Sequence, residues 1–332
     1  MQQLPASALK SREANRIIEI RTPIGIITAP SNMLNDDSIK DTEKVALSIG
    51  VANRSGINDE IKDKIGERPL IELKVIAGGK AYQWSNPEAP ATVSIDYKPS
   101  PEELNNSEHI AVWFIDENGK AAPVPSGRYN ADTGKLTFTA TRAGKYAAAF
   151  VQKTYNDIAS YPWARKSIEV LASKGIIDGI SDTSYAPEKD ITRADFVVLL
   201  VKCMGLNAEA DSNFSDVRKE DYYYEAVAIA KKLGITNGTD GNKFSPDEKI
   251  KRQDMMVMID NALKTAGKTL PAGSASLADF TDASQIASYA KGSVENLVES
   301  GIIQGDGNRI NPSNNLTRAE AAVIIYRIYN IQ

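Results

Sequence analysis

The sequence has little cysteine and histidine: Cys203 and His109 are the only ones in 332 residues. Cys203 has no partner for an intramolecular disulfide, and two such residues cannot supply the four ligands of a structural zinc site. Catalysis by a Ser-His-Asp or Cys-His group would have to use His109, which begins an apolar run and which we interpret as structural. We therefore expect no metal site and no cofactor.

Long apolar runs and an excess of one charge are also missing. The longest runs, such as Phe196–Val201 and Ala321–Tyr326, are far shorter than the roughly 20 residues of a membrane span. Residues 1–150 carry 18 Lys and Arg against 19 Asp and Glu, and residues 151–332 carry 21 against 24. Their net charges of −1 and −3 do not favour a nucleic-acid binder. We expect neither a nucleic-acid nor a membrane partner.

Three similar segments fill the C-terminal half, and each contains the same landmarks in the same order. An aromatic-x-Asp triplet comes first, then an apolar helix with an aromatic near its start, a Gly-Ile pair, a glycine, a proline and a basic motif. The basic motifs are Thr192-Arg193-Ala194-Asp195, Lys251-Arg252-Gln253-Asp254 and Thr317-Arg318-Ala319-Glu320. This recurrence indicates an internal repeat.

Each repeat is predicted to contain two helices. In the first helix of the first repeat, Ile168, Leu171 and Ala172 have helical spacing, and Gly175 follows as a signal for the end of the helix. Thr192 and Asp195 match a capping box that begins the second helix. The second repeat has Lys251 where the others have Thr, so it lacks that capping hydroxyl.

The triple pattern resembles the S-layer homology (SLH) module of bacterial cell-surface proteins, whose Thr-Arg-Ala-Glu signature is matched at 192–195 and 317–320. The resemblance covers about 155–332. It implies an all-α pseudo-threefold helical bundle that binds a secondary cell-wall polysaccharide with pyruvylated N-acetylmannosamine. It also implies an extracellular location at the cell wall, in the S-layer. The absent signal peptide then indicates that the chain is a fragment of an exported precursor.

A pyruvate ketal presents a carboxylate, so its binding site needs a cation, amide donors and a flat surface for the sugar. Each arginine begins a helix, where free backbone amides would reinforce anion binding. The second repeat departs from the signature, so its arginine is ranked below the other two. The candidate ligand-binding residues are Arg193, Arg318, Arg252, Asp157, Asp216, Asp282, Trp163, Tyr222, Tyr289, Gly179, Gly238 and Gly305.

Each of these residues also has a structural interpretation. A single arginine at a helix start is often only solvated, and it is the threefold recurrence that favours binding. The aspartates are as consistent with caps or turns as with contacts to sugar hydroxyls. Trp163 and Tyr289 are also consistent with core or groove-wall positions.

The first 150 residues predict an all-β sandwich without a helix. Turn signals such as Asn118-Gly119 separate short runs of Ile, Val, Thr and aromatics. The eight predicted strands are 16–21, 24–28, 45–51, 70–76, 92–97, 110–115, 135–139 and 145–151. Leu4–Leu9, Pro23–Ile26 and Tyr129–Phe138 resemble a β-domain found before SLH repeats in Gram-positive surface proteins, which implies a spacer.

The predicted protein is thus multidomain: a β-sandwich-like spacer at 1–152 and SLH repeats at 153–210, 211–272 and 273–332. The main alternative to a glycan-binding anchor is a lattice module that contacts other surface-layer subunits. An enzyme is not expected, because acids that recur with the fold differ from a single catalytic pair. A calcium loop is not favoured, because the loop acids at 178–182 and 240–242 lack the required spacing.

Overall fold

The computed structural model describes residues 3–11, 16–34, 39–40, 43–271 and 273–331. The chain divides into two compact units. One consists of residues 1–153 with 173–175, and the other of 154–172 with 176–332.

The first unit contains two antiparallel sheets. Its described strands are β1 Leu4–Pro5, β2 Ile17–Arg21, β3 Gly25–Pro30, β4 Lys44–Val51, β5 Leu70–Ala77, β6 Lys80–Tyr82, β7 Ala91–Asp96, β8 Ile110–Ile115, β9 Ala121–Val124, β10 Arg128–Asn130, β11 Lys135–Ala140 and β12 Gly144–Phe150. One sheet has the order β1-β4-β5-β12-β8-β9, with β6 beside β5, and the other has the order β10-β11-β7-β3-β2. The eight predicted strands are confirmed, and the strands that the sequence missed have only two to four residues.

The two sheets share one hydrophobic core, which is consistent with the predicted sandwich. Strand β7 shows the pattern, because Ala91, Val93 and Ile95 are buried while the alternate residues face outward. Buried residues of the other sheet, such as Leu73 and Val112, belong to the same cluster.

The expectation of a helix-free first unit is wrong. Helix α1 spans Asp59–Ile65, and the Asn58 side chain caps it by accepting from the amide of Glu60. Helix α2 spans Pro101–Asn105 and begins with a complete capping box. Both helices are short, so neither shows the apolar periodicity by which a helix is recognised, and only their start signals identify them.

The second unit is helical. Its α-helices are α3 Pro162–Ser173, α4 Arg193–Met204, α5 Tyr224–Lys232, α6 Arg252–Thr265, α7 Lys291–Glu299 and α8 Arg318–Tyr329, two in each repeat. Buried side chains from all three repeats form one cluster. Helix α4 contacts α5 and α8, and α6 contacts α7, so neighbouring repeats bury each other's apolar faces. None of the helices in the described part of the chain is long and apolar enough to cross a membrane.

The repeats also exchange backbone hydrogen bonds in a cycle. Ile191 donates its amide to the carbonyl of Leu316 at 2.9 Å, and Leu316 donates to Ile250 at 3.1 Å. Ile250 completes the cycle by donating to Ile191 at 3.2 Å. These residues immediately precede the motifs that begin α4, α6 and α8. The three helix starts are therefore held beside one another.

Candidate ligand-binding grooves between the repeats

Each signature arginine inserts into the loop of a neighbouring repeat. The Nε of Arg193 donates to the carbonyl of Phe244 at 3.0 Å. Arg252 donates in the same way to Ile310 at 2.8 Å, and Arg318 to Tyr185 at 2.9 Å. The first repeat thus contacts the second, the second contacts the third, and the third contacts the first.

The backbone amides at the helix starts follow the same cyclic pattern. The amide of Arg318 donates to Lys189, and the amide of Ala319 donates to Pro187. The amides of Ala194 and Gln253 likewise donate to Pro246 and to Pro312. The expectation that these amides remain free for an anion is therefore wrong, because they join the repeats to each other.

The three arginines differ in how their charge is compensated. Arg252 is 8% exposed, and its Nη1 lies 2.8 Å from a carboxylate oxygen of Glu320. Arg193 is 6% exposed and lies 3.8 Å from Asp254. Burial lowers the pKa of Arg193, while Asp254 acts in the opposite direction. Both guanidinium groups are thus largely covered and have an acidic neighbour.

Arg318 is partly exposed and has a different set of contacts. Its Nη2 donates to the carbonyl of Asp178 at 2.7 Å, and its guanidinium lies over the ring of Tyr185, 4.5 Å from the centroid. Among the described residues, no carboxylate lies within 4 Å of it. Neutral groups thus fix the orientation of the Arg318 guanidinium without neutralising its charge. A guanidinium in this state can pair with a carboxylate from outside the protein.

The three predicted aspartates all bind backbone amides within their own repeats. Asp157 accepts from the Ser184 hydroxyl and from the amides of Tyr185 and Ala186. Asp216 accepts from Phe244 and Ser245, and Asp282 accepts from Ile310 and Asn311. This geometry favours the structural interpretation of these aspartates, since their carboxylates are already engaged.

These bonds hold an unusual turn in each repeat. Ala186, Ser245 and Asn311 have φ of 58°, 55° and 55°, a left-handed conformation that non-glycine residues rarely adopt. Each of the three precedes a proline and donates its amide to the aspartate of its own repeat. The turn places the carbonyl of the residue before it in contact with the arginine of the adjoining repeat. The aspartates therefore position the arginines indirectly.

The three predicted glycines are required by packing within each repeat. A Cβ at Gly305 would overlap the ring of Phe280 and the carbonyl of Arg309, and Gly305 also has φ of 71°. A Cβ at Gly179 or Gly238 would meet the corresponding ring, Tyr155 or Phe214. Each glycine thus leaves room for the aromatic ring of its own repeat to pack against the backbone.

The predicted aromatic residues lie at the surface. Trp163, Tyr222 and Tyr289 are 56%, 72% and 63% exposed. The Tyr222 hydroxyl donates to Asp195, and the Tyr289 hydroxyl donates to Asp254. Burial of the hydroxyl, followed by its bond to the carboxylate, raises the pKa of both tyrosines.

Asp195 therefore does not complete the predicted capping box. The Thr192 hydroxyl accepts from the Asp195 amide at 3.0 Å, but the Asp195 carboxylate accepts from Tyr222 instead of returning to the Thr192 amide. The longer Glu320 does complete the box with Thr317. As its sequence predicts, Lys251 makes no side-chain cap.

A groove of about 490 Å³ lies between the first and third repeats and also contacts the second. Its lining residues are Tyr161, Trp163, Glu188, Arg252, Ile303, Gln304, Gly305, Asp306, Thr317, Glu320, Val323, Ile324 and Arg327. Of this set, only Trp163, Arg252 and Gly305 are predicted from the sequence to bind ligand. Thr317 and Glu320 belong to the repeated motif, and Val323 recurs as Val198 and Val257, but none of the three was predicted to bind ligand. Other lining residues, such as Tyr161, Gln304 and Arg327, differ in type between the repeats, so the repeat pattern gives no signal for them.

Comparison with known protein families accounts for the repeats. The S-layer homology domain matches residues 154–197, 213–256 and 279–322, one match in each repeat. The chain contains three S-layer homology domains. The match includes the second copy, although Lys251 replaces the usual Thr of the signature there.

Relatives that share SLH sequences include both enzymes and surface-layer proteins. An amylopullulanase of Thermoanaerobacterium thermosulfurigenes is 36% identical over 86% of this chain and 16% of its own length. Exoglucanase XynX of Acetivibrio thermocellus is 38% identical over 65% of this chain and 20% of its own. The surface-layer 125 kDa protein of Lysinibacillus sphaericus is 29% identical over 54% of this chain and 15% of its own. The chain spans a fifth or less of each, and the catalytic domains of the two enzymes are not covered by it.

Proposed function

We propose that this chain anchors its parent protein non-covalently to the cell wall through its SLH repeats. The ligand is a secondary cell-wall polysaccharide that carries pyruvylated N-acetylmannosamine, bound in the grooves between repeats. The three SLH matches and the surface-layer relatives support a cell-surface location and association with the wall or surface layer.

The observation that carries the proposal is the uncompensated charge of Arg318. Its guanidinium is partly exposed, and neutral carbonyls and the Tyr185 ring fix its orientation. A carboxylate fixed on a sugar can form a charge-assisted hydrogen bond there without displacing an internal ion pair. Arg193 ranks second because Asp254 is 3.8 Å away, and Arg252 ranks third because Glu320 already neutralises it.

We further propose that the three repeats form a pseudo-threefold helical bundle. The cyclic bonds among Ile191, Ile250 and Leu316 support this arrangement, as do the arginine contacts from each repeat to another. The repeats would extend over 153–210, 211–272 and 273–332, after a β-sandwich spacer at 1–152.

No catalytic activity is proposed for these residues. The engaged states of Asp157, Asp216 and Asp282 support a structural role rather than general acid-base chemistry. Incubation of the protein with purified wall glycan should release no reducing ends.

Lattice assembly through contacts between subunits is the second candidate. The S-layer protein sap of Bacillus anthracis, 30% identical over 52% of this chain, supports it. Sedimentation of the glycan-free protein separates the two candidates, because a lattice module should self-associate at high concentration whereas an anchor alone should remain monomeric.

The anchoring proposal is tested by pull-down with purified cell walls, native and depyruvylated. Wild type should sediment with native walls, and Arg318→Ala should lose most of that binding. Arg218→Ala is a matched control, because Arg218 is a surface arginine whose side chain is 81% exposed. Equal binding of wild type to both wall preparations would refute the carboxylate argument.

A further inference from the structure

The groove at Trp163 differs chemically from the corresponding sites at Tyr222 and Tyr289. The three aromatics occupy the same place in their repeats, five residues before Ile168, Val227 and Val294. Each tyrosine hydroxyl donates to the acidic residue at the third position of a helix, Asp195 or Asp254. Indole has no hydroxyl, so Trp163 cannot form this bond.

The acidic residue at the third position of α8 has a different role. Glu320 is one methylene longer than Asp195 and Asp254. One of its oxygens accepts from the amide and the hydroxyl of Thr317, and the other accepts from Arg252 at 2.8 Å. Glu320 therefore neutralises Arg252 in this groove. The ring of Trp163 has no hydrogen bond of the kind that Tyr222 and Tyr289 donate to Asp195 and Asp254.

The remaining charges of the groove do not favour an anion. Its lining includes two cations, Arg252 and Arg327, and three acids, Glu188, Asp306 and Glu320. The Arg327 guanidinium donates to the Ile302 carbonyl at 2.7 Å and to the Gln304 side-chain oxygen at 2.8 Å. A carboxylate ligand would meet an excess of negative charge and would compete with these internal acceptors.

The same groups suit a hydroxyl-rich ring without charge. Trp163 offers a 56% exposed indole, with the Tyr161 ring 6.3 Å away in an edge-on arrangement. Glu188 and Asp306 can accept from hydroxyls, and the Gln304 amide group can donate, since its oxygen already accepts from Arg327. A volume of about 490 Å³ lies within the range of small-molecule sites.

We propose that the Trp163 groove is a second kind of subsite, which binds an uncharged sugar residue stacked on the indole of Trp163. It is chemically distinct from the Arg318 site, which takes the carboxylate-bearing sugar. The inference rests on the proposed function, in that the wall glycan supplies both kinds of residue.

The test titrates the full chain with two probes, the methyl glycoside of N-acetylmannosamine and its pyruvate ketal, by tryptophan fluorescence and calorimetry. Trp84 is buried and Trp113 is half-buried, so Trp163 is the indole most exposed to added sugar. The variant Trp163→Phe gives the fluorescence of Trp84 and Trp113 alone. We expect the uncharged glycoside to change the fluorescence of wild type but not of Trp163→Phe.

Affinity variants separate this subsite from the Arg318 site. Trp163→Ala should weaken binding of the uncharged glycoside about tenfold, as expected for loss of a stacking platform. The pair Trp163→Tyr with Glu320→Asp, which copies the other two sites, should also weaken it. Arg318→Ala should preserve this binding and lose the ketal. Leu104→Ala, at an exposed hydrophobic residue of the first unit, is the control for surface truncation.

The two proposals fail in different ways. If wild type binds the ketal through Arg318 but Trp163→Ala binds the uncharged glycoside as well as wild type does, the Trp163 subsite is refuted and the anchor stands. If the uncharged glycoside binds at Trp163 while Arg318→Ala has no effect on the ketal, the carboxylate site is refuted and the subsite stands. Absence of any binding of the uncharged glycoside to wild type also refutes the subsite.

Discussion

Arg318 and Tyr185 are 133 residues apart in sequence, yet the Nε of Arg318 donates to the Tyr185 carbonyl at 2.9 Å. The Arg318 guanidinium also lies over the ring of Tyr185. This contact joins the last repeat to the first. Because the corresponding contacts join the first to the second and the second to the third, each signature arginine stabilises a neighbour's loop. The arginines therefore have structural roles in addition to any role in binding.

The first prediction concerns stability. Arg252→Ala leaves the Ile310 carbonyl and one oxygen of the Glu320 carboxylate without the donor that they have in a largely covered site. We expect it to lower the free energy of unfolding of the helical unit by about 2 kcal/mol. Arg318 is partly exposed and has no acidic partner among the described residues, so Arg318→Ala should cost about 1 kcal/mol.

Urea unfolding followed by far-UV circular dichroism measures this difference, because the long helices all lie in the second unit among the described residues. Arg218→Ala provides the baseline for removal of an exposed arginine. Equal destabilisation by Arg252→Ala and Arg318→Ala would contradict the ranking of the sites by burial and charge pairing.

The second prediction concerns the turn before each proline. Asp282 is 2% exposed and accepts from the amides of Ile310 and Asn311. An amide at this position can accept with one oxygen only, so Asp282→Asn should destabilise the helical unit by about 2 kcal/mol. The same dichroism measurement checks it, and Asp279→Asn, at a capping-box residue just before Phe280, is a nearby control. A change at Asp282 no larger than at Asp279 would argue against the positioning role.

The third prediction is a loss of stability in acid. Burial raises the pKa of Asp282, but the amides of Ile310 and Asn311 outweigh it and hold the pKa below the ordinary value. Asp157 behaves in the same way. A folded pKa below the unfolded one stabilises the protein above about pH 4, and that stability is lost as the pH falls through the folded pKa. Wild type should thus lose stability between about pH 5 and 2, and Asp282→Asn should show a shallower dependence over that interval.

The fourth prediction concerns alkaline pH. Burial and the bond to Asp254 raise the pKa of Tyr289 to about 12. A raised pKa means that the neutral phenol contributes stability below about pH 10, which is lost as the pH rises toward 12. Phenolate absorbance should show one fewer late-titrating tyrosine in Tyr289→Phe than in wild type. An unchanged late phase in that variant would show that Tyr289 titrates normally.

The sequence predicts elements with strong local signals and fails where the determinants are distant. Gly175 marks the end of α3 correctly and has φ of 67°, and all eight predicted strands are present. Helices α1 and α2 were missed because five to seven residues are too few to show a helical period.

The site illustrates the same limit. The recurrence of the arginines could be read directly, but their carbonyl partners are 51, 58 and 133 residues away. Gly179 is predicted as a ligand-binding residue, and the structure shows that a Cβ at this position would meet the ring of Tyr155. The difference between Glu320 and its shorter counterparts was visible in the sequence. Its meaning requires the position of Arg252, which only the fold provides.

We propose that Arg318 binds the carboxylate of the wall glycan. Calorimetric titration of the full chain with soluble wall polysaccharide, native and depyruvylated, tests it directly in wild type and in Arg318→Lys. We predict that depyruvylation and Arg318→Lys each weaken binding about tenfold or more, and that their effects do not add, because both disrupt the same contact between guanidinium and carboxylate. Full additivity of the two losses, or native affinity in Arg318→Lys, would show that Arg318 does not bind the carboxylate.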